Sequence, residues 1–547
     1  MRNILKDKRT KHILLIIALT ILVYSNSFGN YFVYDDHSHI LENKDIRYLS
    51  NIPKFFTSSF VGIYRPIRSV AYMITYSIWR DNPFGYHLNN LLFHISITIL
   101  IYLITLLLTE KKDIAFISSL LFGIHPIHTE RVTNITGGFD LIGIFFIFLS
   151  FYLWILYSKK KENKFYILSI ISFIIALFSS EEAIILPLAI ILYEACFNKN
   201  NLKKELKKYS VFFAIGLLFV WLRFSILKIG ARADEYIAGN LYLTLLTMAK
   251  VIINYLYLLI LPIDLTLYHN ITIAKSWIDT GIITSIALII SLILIAISCY
   301  KKKEMITFII GWFFITLIPF YNILPLQTMM AERYLYIPSF AFCLLIALAA
   351  HRSYNLNRNI KIAAMLAIIL LVISYSATTI KRNTDWKDDL TLWTSTVKTS
   401  PSSTEAHDNL GFAYERAGQT DKSIYEFKQS IKLDPSNYKA YTNLGIAYAK
   451  KENFTLAEAY LKTATKLNPG WHKAYNYLGI IYATQGLFEE SIVEFKKAIA
   501  SNPDFDETYF NLGAIYEHIG ETNLAKKEFE KALELNPSDK TYIKKLK

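Results

Sequence analysis

Asn409-Leu410-Gly411-Phe412-Ala413-Tyr414 opens the pattern that defines the C-terminal part of this chain. The Leu-Gly pair and the tyrosine behind it return every 34 residues, next as Leu444-Gly445 with Tyr448. A proline marks the same period, and the five prolines are Pro401, Pro435, Pro469, Pro503 and Pro537. Self-similarity at one fixed period indicates stacked units that bury a continuous core between neighbours.

Each period has the pattern of the tetratricopeptide repeat, which consists of two packed helices. The glycine allows the helices to approach closely, and a bulky residue at a later fixed position supplies the knob. These bulky residues are Phe427, Leu461, Phe495 and Phe529. We therefore predict four repeats over residues 401–547. Trp393 and Val397 stand where the first repeat has Phe427 and Ile431, so we interpret residues 383–400 as a linker with a capping helix.

The composition excludes a soluble protein. Of 547 residues, 53% are hydrophobic and 19% are charged, with a mean hydropathy of +0.31, whereas soluble domains carry roughly a quarter charged residues. Much of the chain must therefore lie in lipid. The net charge is +14, yet residues 401–547 carry 19 basic and 20 acidic side chains. The positive excess lies in short loops between apolar runs, where it sets topology, and we expect no nucleic-acid partner.

Apolar runs that approach the roughly 20 residues needed to cross a bilayer occur about eleven times before residue 382. They lie at approximately 13–29, 88–108, 113–127, 139–157, 165–179, 183–197, 209–228, 280–300, 304–320, 334–350 and 361–379. Basic residues precede the first run and recur in alternate loops, which predicts a cytoplasmic N-terminus. We thus predict an all-α protein, with a polytopic domain at 1–382 in the inner (cell) membrane and extracytoplasmic repeats.

Two apolar segments do not fit this count directly. Residues 241–261 are apolar enough to cross, but a crossing there would put every later basic loop outside. We interpret that segment as re-entrant or interfacial. The first run also resembles a signal peptide, because a basic stretch and a short apolar core lead to Ser25-Asn26-Ser27. With either interpretation, the next loop is outside.

The loop after the first run carries an acidic pair, Asp35-Asp36. A carboxylate at the end of a span can serve as a general base or as a metal ligand. An adjacent pair is equally compatible with a solvated turn, so the motif alone does not decide between these roles.

Three further outer loops carry unusual polar residues. His125-Pro126-Ile127-His128-Thr129-Glu130-Arg131 suggests a metal site, although Pro126 makes a turn here instead of one helical face. Glu181-Glu182 opens a span, where carboxylates also cap a helix N-terminus. Glu332-Arg333 lies at the mouth of another span, and ionisable residues near lipid are costly enough to suggest function.

In this order, the motifs resemble the transmembrane and tetratricopeptide-repeat O-mannosyltransferase family and its bacterial relatives. The motifs are the acidic pair, Tyr64-Arg65-Pro66, His87-Leu88-Asn89-Asn90-Leu91, His125-Pro126-Ile127-His128-Thr129-Glu130, Glu181-Glu182, Ala331-Glu332-Arg333-Tyr334-Leu335-Tyr336-Ile337-Pro338-Ser339 and Asn383-x-x-Trp386. The resemblance covers nearly the whole chain and implies the glycosyltransferase C membrane fold. Two motifs depart from the family, which often has Gly-Arg where this chain has Gly138-Phe139-Asp140 and Lys-Glu where it has Glu181-Glu182.

Residues and resemblance together predict transfer of a sugar, with mannose as one candidate, from a polyprenyl-phosphate donor to a hydroxyl of a protein or glycan. Asp35 or Asp36 would be the general base, with Glu130 as the next candidate. The leaving phosphate requires cations, for which we select Arg65, Arg131 and especially Arg333, with Glu332 in the same motif. No cofactor is required by the sequence, and participation of a divalent metal stays open.

The repeats provide a concave surface suited to an extended acceptor. Asn409, Asn443 and Asn511 share one position of the first helix, where an amide can bond the backbone of a ligand. Helix packing alone also explains asparagine at this position. Two other functions remain as alternatives: a non-enzymatic membrane-anchored scaffold, and an O-antigen polymerase or ligase, which requires a large late outer loop that this chain lacks.

Overall fold

The computed structural model describes residues 7–60, 62–202, 204–230, 233, 235–354, 356–537 and 539–546. Over these residues the chain is α-helical and contains no β-strand, with a single isolated bridge between Phe60 and Ile63. It divides into two compact units, Met1–Leu392 and Trp393–Lys547. The all-α class predicted from the sequence is therefore confirmed.

The first unit contains seventeen α-helices among its described residues and the start of an eighteenth. They are α1 Lys8–Tyr24, α2 Ile52–Thr57, α3 Pro66–Trp79, α4 Pro83–Thr109, α5 Lys112–Ile124, α6 Thr129–Val132, α7 Ile135–Gly138, α8 Asp140–Lys160, α9 Asn163–Ser179, α10 Leu186–Phe197, α11 Lys199–Leu202, α12 Leu206–Trp221, α13 Leu241–Ile260, α14 Thr280–Cys299, α15 Glu304–Thr316, α16 Ser339–Tyr354, α17 Arg358–Asp385 and α18 Asp389–Thr399.

Several helices are long and apolar enough to cross a membrane, as the composition predicts. Within the described ranges there are seven such segments: Lys8–Gly29, Pro83–Thr109, Ile135–Lys160, Leu206–Ile226, Leu241–Ile260, Gly281–Cys299 and Arg358–Asp385. Three shorter apolar segments are Asn163–Ser179, Glu304–Phe320 and Ser339–Tyr354. Two predicted spans, at 113–127 and 183–197, correspond to α5 and α10, which have only 13 and 12 residues. The number of eleven spans stays a prediction.

Contacts between helix ends define two faces of the first unit. One face, here called the site face, holds the loop after α1, the turn after α5 and the end of α17. Asn30 Nδ2 donates there to the Asn383 carbonyl at 2.9 Å, and the Thr379 hydroxyl donates to the Ile124 carbonyl at 2.8 Å. At the opposite ends of the helices, His351 of α16 pairs with Asp113 of α5, and Lys199 Nζ donates to the Tyr300 carbonyl at 3.0 Å. Successive long helices therefore run between the site face and this opposite face.

Helix α13 differs from the other long helices, because three points along it contact segments of the site face. Asn322 Nδ2 lies 3.6 Å from the Met248 sulfur, and the Ala331 amide donates to the Tyr255 hydroxyl at 3.3 Å. Near the C-terminal end of α13, the Leu259 carbonyl accepts from His125 Nε2 at 3.1 Å. The interpretation of residues 241–261 as re-entrant or interfacial stays a prediction, since the helix is also long and apolar enough to cross.

Asn90 of α4 shapes the site face by holding the chain that follows Arg131. Its amide nitrogen donates to the carbonyls of Val132, Asn134 and Ile135 at 3.4, 3.1 and 3.2 Å. A Cβ placed on Gly138 would lie 1.9 Å from that nitrogen, so only glycine permits this approach. Asn90 thus fixes the turns between Arg131 and Asp140.

The second unit is an array of helical pairs. Its remaining helices are α19 Thr404–Arg416, α20 Thr420–Leu433, α21 Tyr438–Lys450, α22 Phe454–Leu467, α23 His472–Thr484, α24 Phe488–Ser501, α25 Asp506–His518, α26 Thr522–Leu535 and α27 Lys540–Leu546. In every pair the repeat glycine of the first helix faces the bulky knob of the second. A Cβ on Gly411 would lie 2.6 Å from the Phe427 ring, and one on Gly445 would lie 2.7 Å from Leu461. This packing explains why the period requires glycine.

Candidate active site

A polar cavity of about 160 Å³ opens on the site face. Its walls come from the loop after α1, the start of α3, the turns between α5 and α8, and the segments that follow α9, α13 and α15. Its charged lining residues are Asp35, Arg65, Arg68, Glu130, Arg131, Asp140, Glu182 and Arg333. Aromatic residues complete the wall: Tyr34, Tyr268, Phe320 and Tyr334. The structure thus brings together most of the residues selected from separate loops of the sequence.

Asp35 faces this cavity with an exposed side chain. Within the described part of the chain, no hydrogen bond or ion pair engages its carboxylate. The protein atoms around the cavity partly desolvate this carboxylate and raise its pKa above the ordinary value. The charges of Arg333 and Arg68 act on the pKa in the opposite direction. A carboxylate that is accessible, near cations and without a fixed partner among these residues is chemically suited to accept a proton.

Asp36 has a different environment from its neighbour, because its side chain is fully buried and does not line the cavity. Its two oxygens accept from the Val33 amide at 3.0 Å and from the Thr136 amide at 2.9 Å. Burial raises the pKa of Asp36 to about 7, against the lowering effect of these two amides. The acidic pair therefore divides into one accessible carboxylate and one that holds backbone.

Asp140 is the centre of a buried ion-pair network. Its carboxylate contacts Arg65, lies 3.1 Å from Arg68 and lies 2.6 Å from Arg131. Arg131 continues the network to Glu182, whose pKa is raised by burial and lowered by that guanidinium. Since the Arg65 and Arg131 side chains are only 7% and 2% exposed, both are held mainly by protein carboxylates.

Arg333 is the most accessible of the four cavity arginines, with 30% of its side chain exposed. It pairs with Glu130, and its backbone amide donates to the other oxygen of the same carboxylate at 2.7 Å. Glu130 is 2% exposed, and both of its carboxylate oxygens bond Arg333. This arrangement makes Glu130 a poorer candidate for the base than Asp35.

Glu332 points away from the cavity, unlike its neighbour in the sequence. Its carboxylate is fully buried and accepts the Thr266 amide, and it lies 3.6 Å from His269 and 3.8 Å from Arg382. The sequence places Glu332 and Arg333 in one motif, yet their side chains serve different parts of the fold. Glu332 supports the loop after α13 and is not a lining residue.

A second cavity of about 250 Å³ adjoins the first, and five residues line both cavities: Arg65, Glu182, Phe320, Leu326 and Tyr334. Most of its wall is apolar, with lining residues Ile184, Phe219, Val220, Phe224, Pro319, Phe320, Leu324, Pro325 and Leu326. At its polar end, Arg223 lies 2.6 Å from Glu181, which also lies 3.5 Å from Arg65. Sequence reasoning missed Arg223, since a single arginine at the end of an apolar run has no motif around it.

The two histidines of the predicted turn do not converge on one point. His125 accepts from the Ile127 amide and bonds the Leu259 carbonyl, whereas His128 lies 2.8 Å from the Ser339 hydroxyl. Among the described residues, no group of three or more His, Cys, Asp or Glu side chains is arranged to hold a metal ion. The involvement of a divalent metal is therefore not supported by a ligand set in this region.

The three repeat asparagines differ in their bonding. Asn409 donates to the Glu405 carbonyl at 2.8 Å within its own helix, and Asn511 donates to Asn476 at 3.2 Å in the neighbouring repeat. All three, including Asn443, are partly exposed. A ligand amide would compete with these internal bonds at Asn409 and Asn511.

A family model described as dolichyl-phosphate-mannose-protein mannosyltransferase matches residues 66–224. Tetratricopeptide-repeat models match residues 416–452, 481–520, 438–470 and 506–539. The C-terminal unit is therefore a tetratricopeptide-repeat array. A crystal structure of the MamA protein is 29% identical, covering 28% of this chain and 84% of that chain, with a TM-score of 0.24.

Curated relatives extend the likeness over most of the chain. Protein O-mannosyl-transferase F38B6.6 of Caenorhabditis elegans is 27% identical over 430 residues, which are 74% of this chain and 60% of the relative. Protein O-mannosyl-transferase TMTC3 is 24% identical in Mus musculus and in Homo sapiens, covering 78% and 77% of this chain and 51% of each relative. The chain is similar to protein O-mannosyl-transferases. It spans only about half to three fifths of their length.

Proposed function

We propose that this protein is a membrane glycosyltransferase that moves a hexose, mannose first among the candidates, from a polyprenyl-phosphate donor to a hydroxyl of a protein or glycan. The printed names of the relatives support the class of reaction, and the matched family model supports the phosphate-linked donor. The observation that carries the proposal is the accessible Asp35 carboxylate in a cavity that four arginines also line.

Asp35 takes the proton of the acceptor hydroxyl as its oxygen attacks the anomeric carbon of the donor sugar. The new carbon–oxygen bond forms while the bond between that carbon and the phosphate oxygen breaks. Polyprenyl phosphate leaves with the electron pair, and the proton stays on Asp35 until solvent removes it. A base placed in this way contributes roughly 10²–10⁴-fold to the rate.

The leaving phosphate is an anion and needs cations more than it needs an acid. Arg333 is our first candidate, because it is 30% exposed at the cavity and a guanidinium can bond two phosphate oxygens at once. Arg65 and Arg131 follow, since each would first have to share its guanidinium with a buried carboxylate. The apolar second cavity, which begins at Arg65, is suited to the first isoprene units of the donor.

The topology in this proposal is a cytoplasmic N-terminus in the cell membrane, with the site face and the repeats outside. The basic loops support it, and so do the contacts that keep α13 on the site face. The repeats would present the acceptor, with Asn409, Asn443 and Asn511 as candidate contacts to its backbone. A lipid-linked donor and an extracytoplasmic acceptor then meet on one side of the membrane.

Purified protein in lipid nanodiscs tests the proposal with radiolabelled polyprenyl-phosphate mannose and an extracytoplasmic protein extract from a host lacking the gene. We expect label to pass to the extract, and polyprenyl-phosphate glucose or galactose to serve if mannose is not the sugar. A folded preparation that transfers none of these sugars would favour the membrane-anchored scaffold instead.

A further inference from the structure

Asp35 lies in a turn whose backbone is unusual. The preceding residue, Tyr34, has a φ of +54°, a left-handed conformation that residues with a side chain rarely adopt. The Asp36 amide closes the turn by donating to the Val33 carbonyl at 3.0 Å. Such conformations persist only where the surroundings hold them. The direction of the Asp35 carboxylate therefore depends on groups that fasten its two neighbours.

One fastening is the buried Asp36 side chain, which accepts the Val33 and Thr136 amides. It ties the turn to the segment around Thr136, on the cavity side of the first unit. The Asp36 side chain does not bond the amide of Tyr34, which is the residue with the left-handed backbone.

Asp389 supplies that second fastening. Its Oδ1 accepts the Tyr34 amide at 2.9 Å, and its Oδ2 accepts from His37 Nε2 at 2.8 Å. One carboxylate therefore spans the turn, with one oxygen before Asp35 and the other after it. A nearby backbone bond, from the Tyr31 amide to the Lys387 carbonyl at 2.9 Å, holds the two segments together.

We infer that Asp389 is a positioning residue for the proposed base: it aims the Asp35 carboxylate into the cavity by fixing Tyr34 and His37. The inference rests on the proposed function. Asp389 does not line the cavity, so its effect on transfer would pass through Asp35. A displacement of about 1 Å at a reacting group can cost up to ~10²-fold in rate.

The neighbouring Asp388 provides a matched control. Its carboxylate accepts the amide and the hydroxyl of Thr391 at 2.8 and 2.7 Å, within the first turn of the same helix. Asp388→Ala and Asp389→Ala remove the same charge from adjacent positions, but only Asp389→Ala releases the turn that carries Asp35. Asp389→Asn keeps an oxygen that can accept the Tyr34 amide.

The test measures initial rates at saturating acceptor and varied polyprenyl-phosphate donor, per folded molecule, with thermal unfolding followed in parallel. We expect Asp389→Ala to lower kcat by about 10- to 100-fold with donor KM unchanged. Asp388→Ala should keep the wild-type kcat, and Asp389→Asn should recover most of it. The acid limb of the kcat–pH profile should also move in Asp389→Ala, because the surroundings of the Asp35 carboxylate change.

Three outcomes count against this inference. Wild-type kcat in Asp389→Ala overturns it, and so does an equal fall in Asp388→Ala, which would indicate a general role of the helix start. A fall in yield and thermal stability with normal kcat per folded molecule would make Asp389 structural only. If the wild-type protein itself transfers no sugar, the proposed function fails first, which is a different result from an active wild type with an active Asp389→Ala.

Discussion

The cavity and the repeats differ in how most of their charged pairs are arranged. In the cavity, buried partners come from distant segments, since Arg333 and Glu130 are 203 residues apart and Arg65 and Asp140 are 75 apart. In the repeats, Lys462 and Glu458 lie one helical turn apart, with 53% and 29% of their side chains exposed. The repeats gain their stability from a periodic apolar core, because exposed ion pairs contribute little. In the cavity, buried charged side chains hold one another in a fixed geometry, which is typical of sites that carry out chemistry.

The largest effect should follow from loss of the proposed base. Asp35→Asn keeps the side-chain volume but cannot accept the proton, so we expect transfer to fall by roughly 10²–10⁴-fold with normal folding. Asp36→Asn should lower thermal stability, because an amide cannot accept from both the Val33 and Thr136 amides. It should also reduce transfer, but less than Asp35→Asn does, because it loosens the turn and keeps the base. Initial rates and melting curves separate the two. Full activity in a folded Asp35→Asn protein would transfer the role to another carboxylate.

The next largest effect should come from a substitution in the buried ion-pair network of the cavity. It tests whether a buried pair contributes more to stability than a pair on the surface of the repeats. Arg131→Met leaves Glu182 buried without its closest cation, and breaking one partner of a buried pair costs about 3–5 kcal/mol. The matched change Lys462→Met breaks an exposed pair and should cost about 0–1 kcal/mol. Thermal or denaturant unfolding of each variant gives the two values. Similar losses of unfolding free energy in the two variants would mean that the buried pair contributes no more than the exposed one.

The repeats should be sensitive to packing instead of charge. Gly445→Ala would put a Cβ 2.7 Å from Leu461, and such overpacking costs about 1–3 kcal/mol. Gly470→Ala is the control, because its Cβ would meet only the Asn468 side chain at 3.4 Å. Differential scanning calorimetry of the two variants should show a lower unfolding temperature for Gly445→Ala alone. Equal stability would mean that the helix pair relaxes around the added methyl.

The smallest expected effect concerns Arg333. Arg333→Lys keeps the charge but loses the two-pronged bond to phosphate, so we expect about a tenfold rise in donor KM, equivalent to roughly 1.4 kcal/mol. Measurements at limiting and saturating donor separate this from a fall in kcat. Thr328→Val, which removes a weaker partner 3.4 Å from the Arg333 guanidinium, is the control and should have little effect. An unchanged donor KM in Arg333→Lys would make Arg65 or Arg131 the next candidate for the phosphate ligand.

How much the sequence predicts differs between the two regions for a physical reason. The repeat period follows from local packing, so Gly411 and Phe427 reveal their contact by spacing alone. The sequence also shows which loops carry the polar residues, but the pairings of these residues depend on tertiary structure. Asp35 and Asp36 are adjacent, and only the turn decides which one faces the cavity. Likewise, no local pattern predicts that Arg333 pairs with Glu130 instead of Glu332.

The balance of charge in the cavity has a consequence for any anionic ligand. Among the residues that the structure describes, four arginines and four carboxylates line it: Arg65, Arg68, Arg131 and Arg333, and Asp35, Glu130, Asp140 and Glu182. An anion that enters without a counter-ion leaves this space with an uncompensated negative charge. Burial raises the pKa of Glu182, so this carboxylate, which is not the proposed base, is the candidate to take up a proton. Anion binding and proton uptake are then thermodynamically linked, and affinity for an anion should weaken as the pH rises.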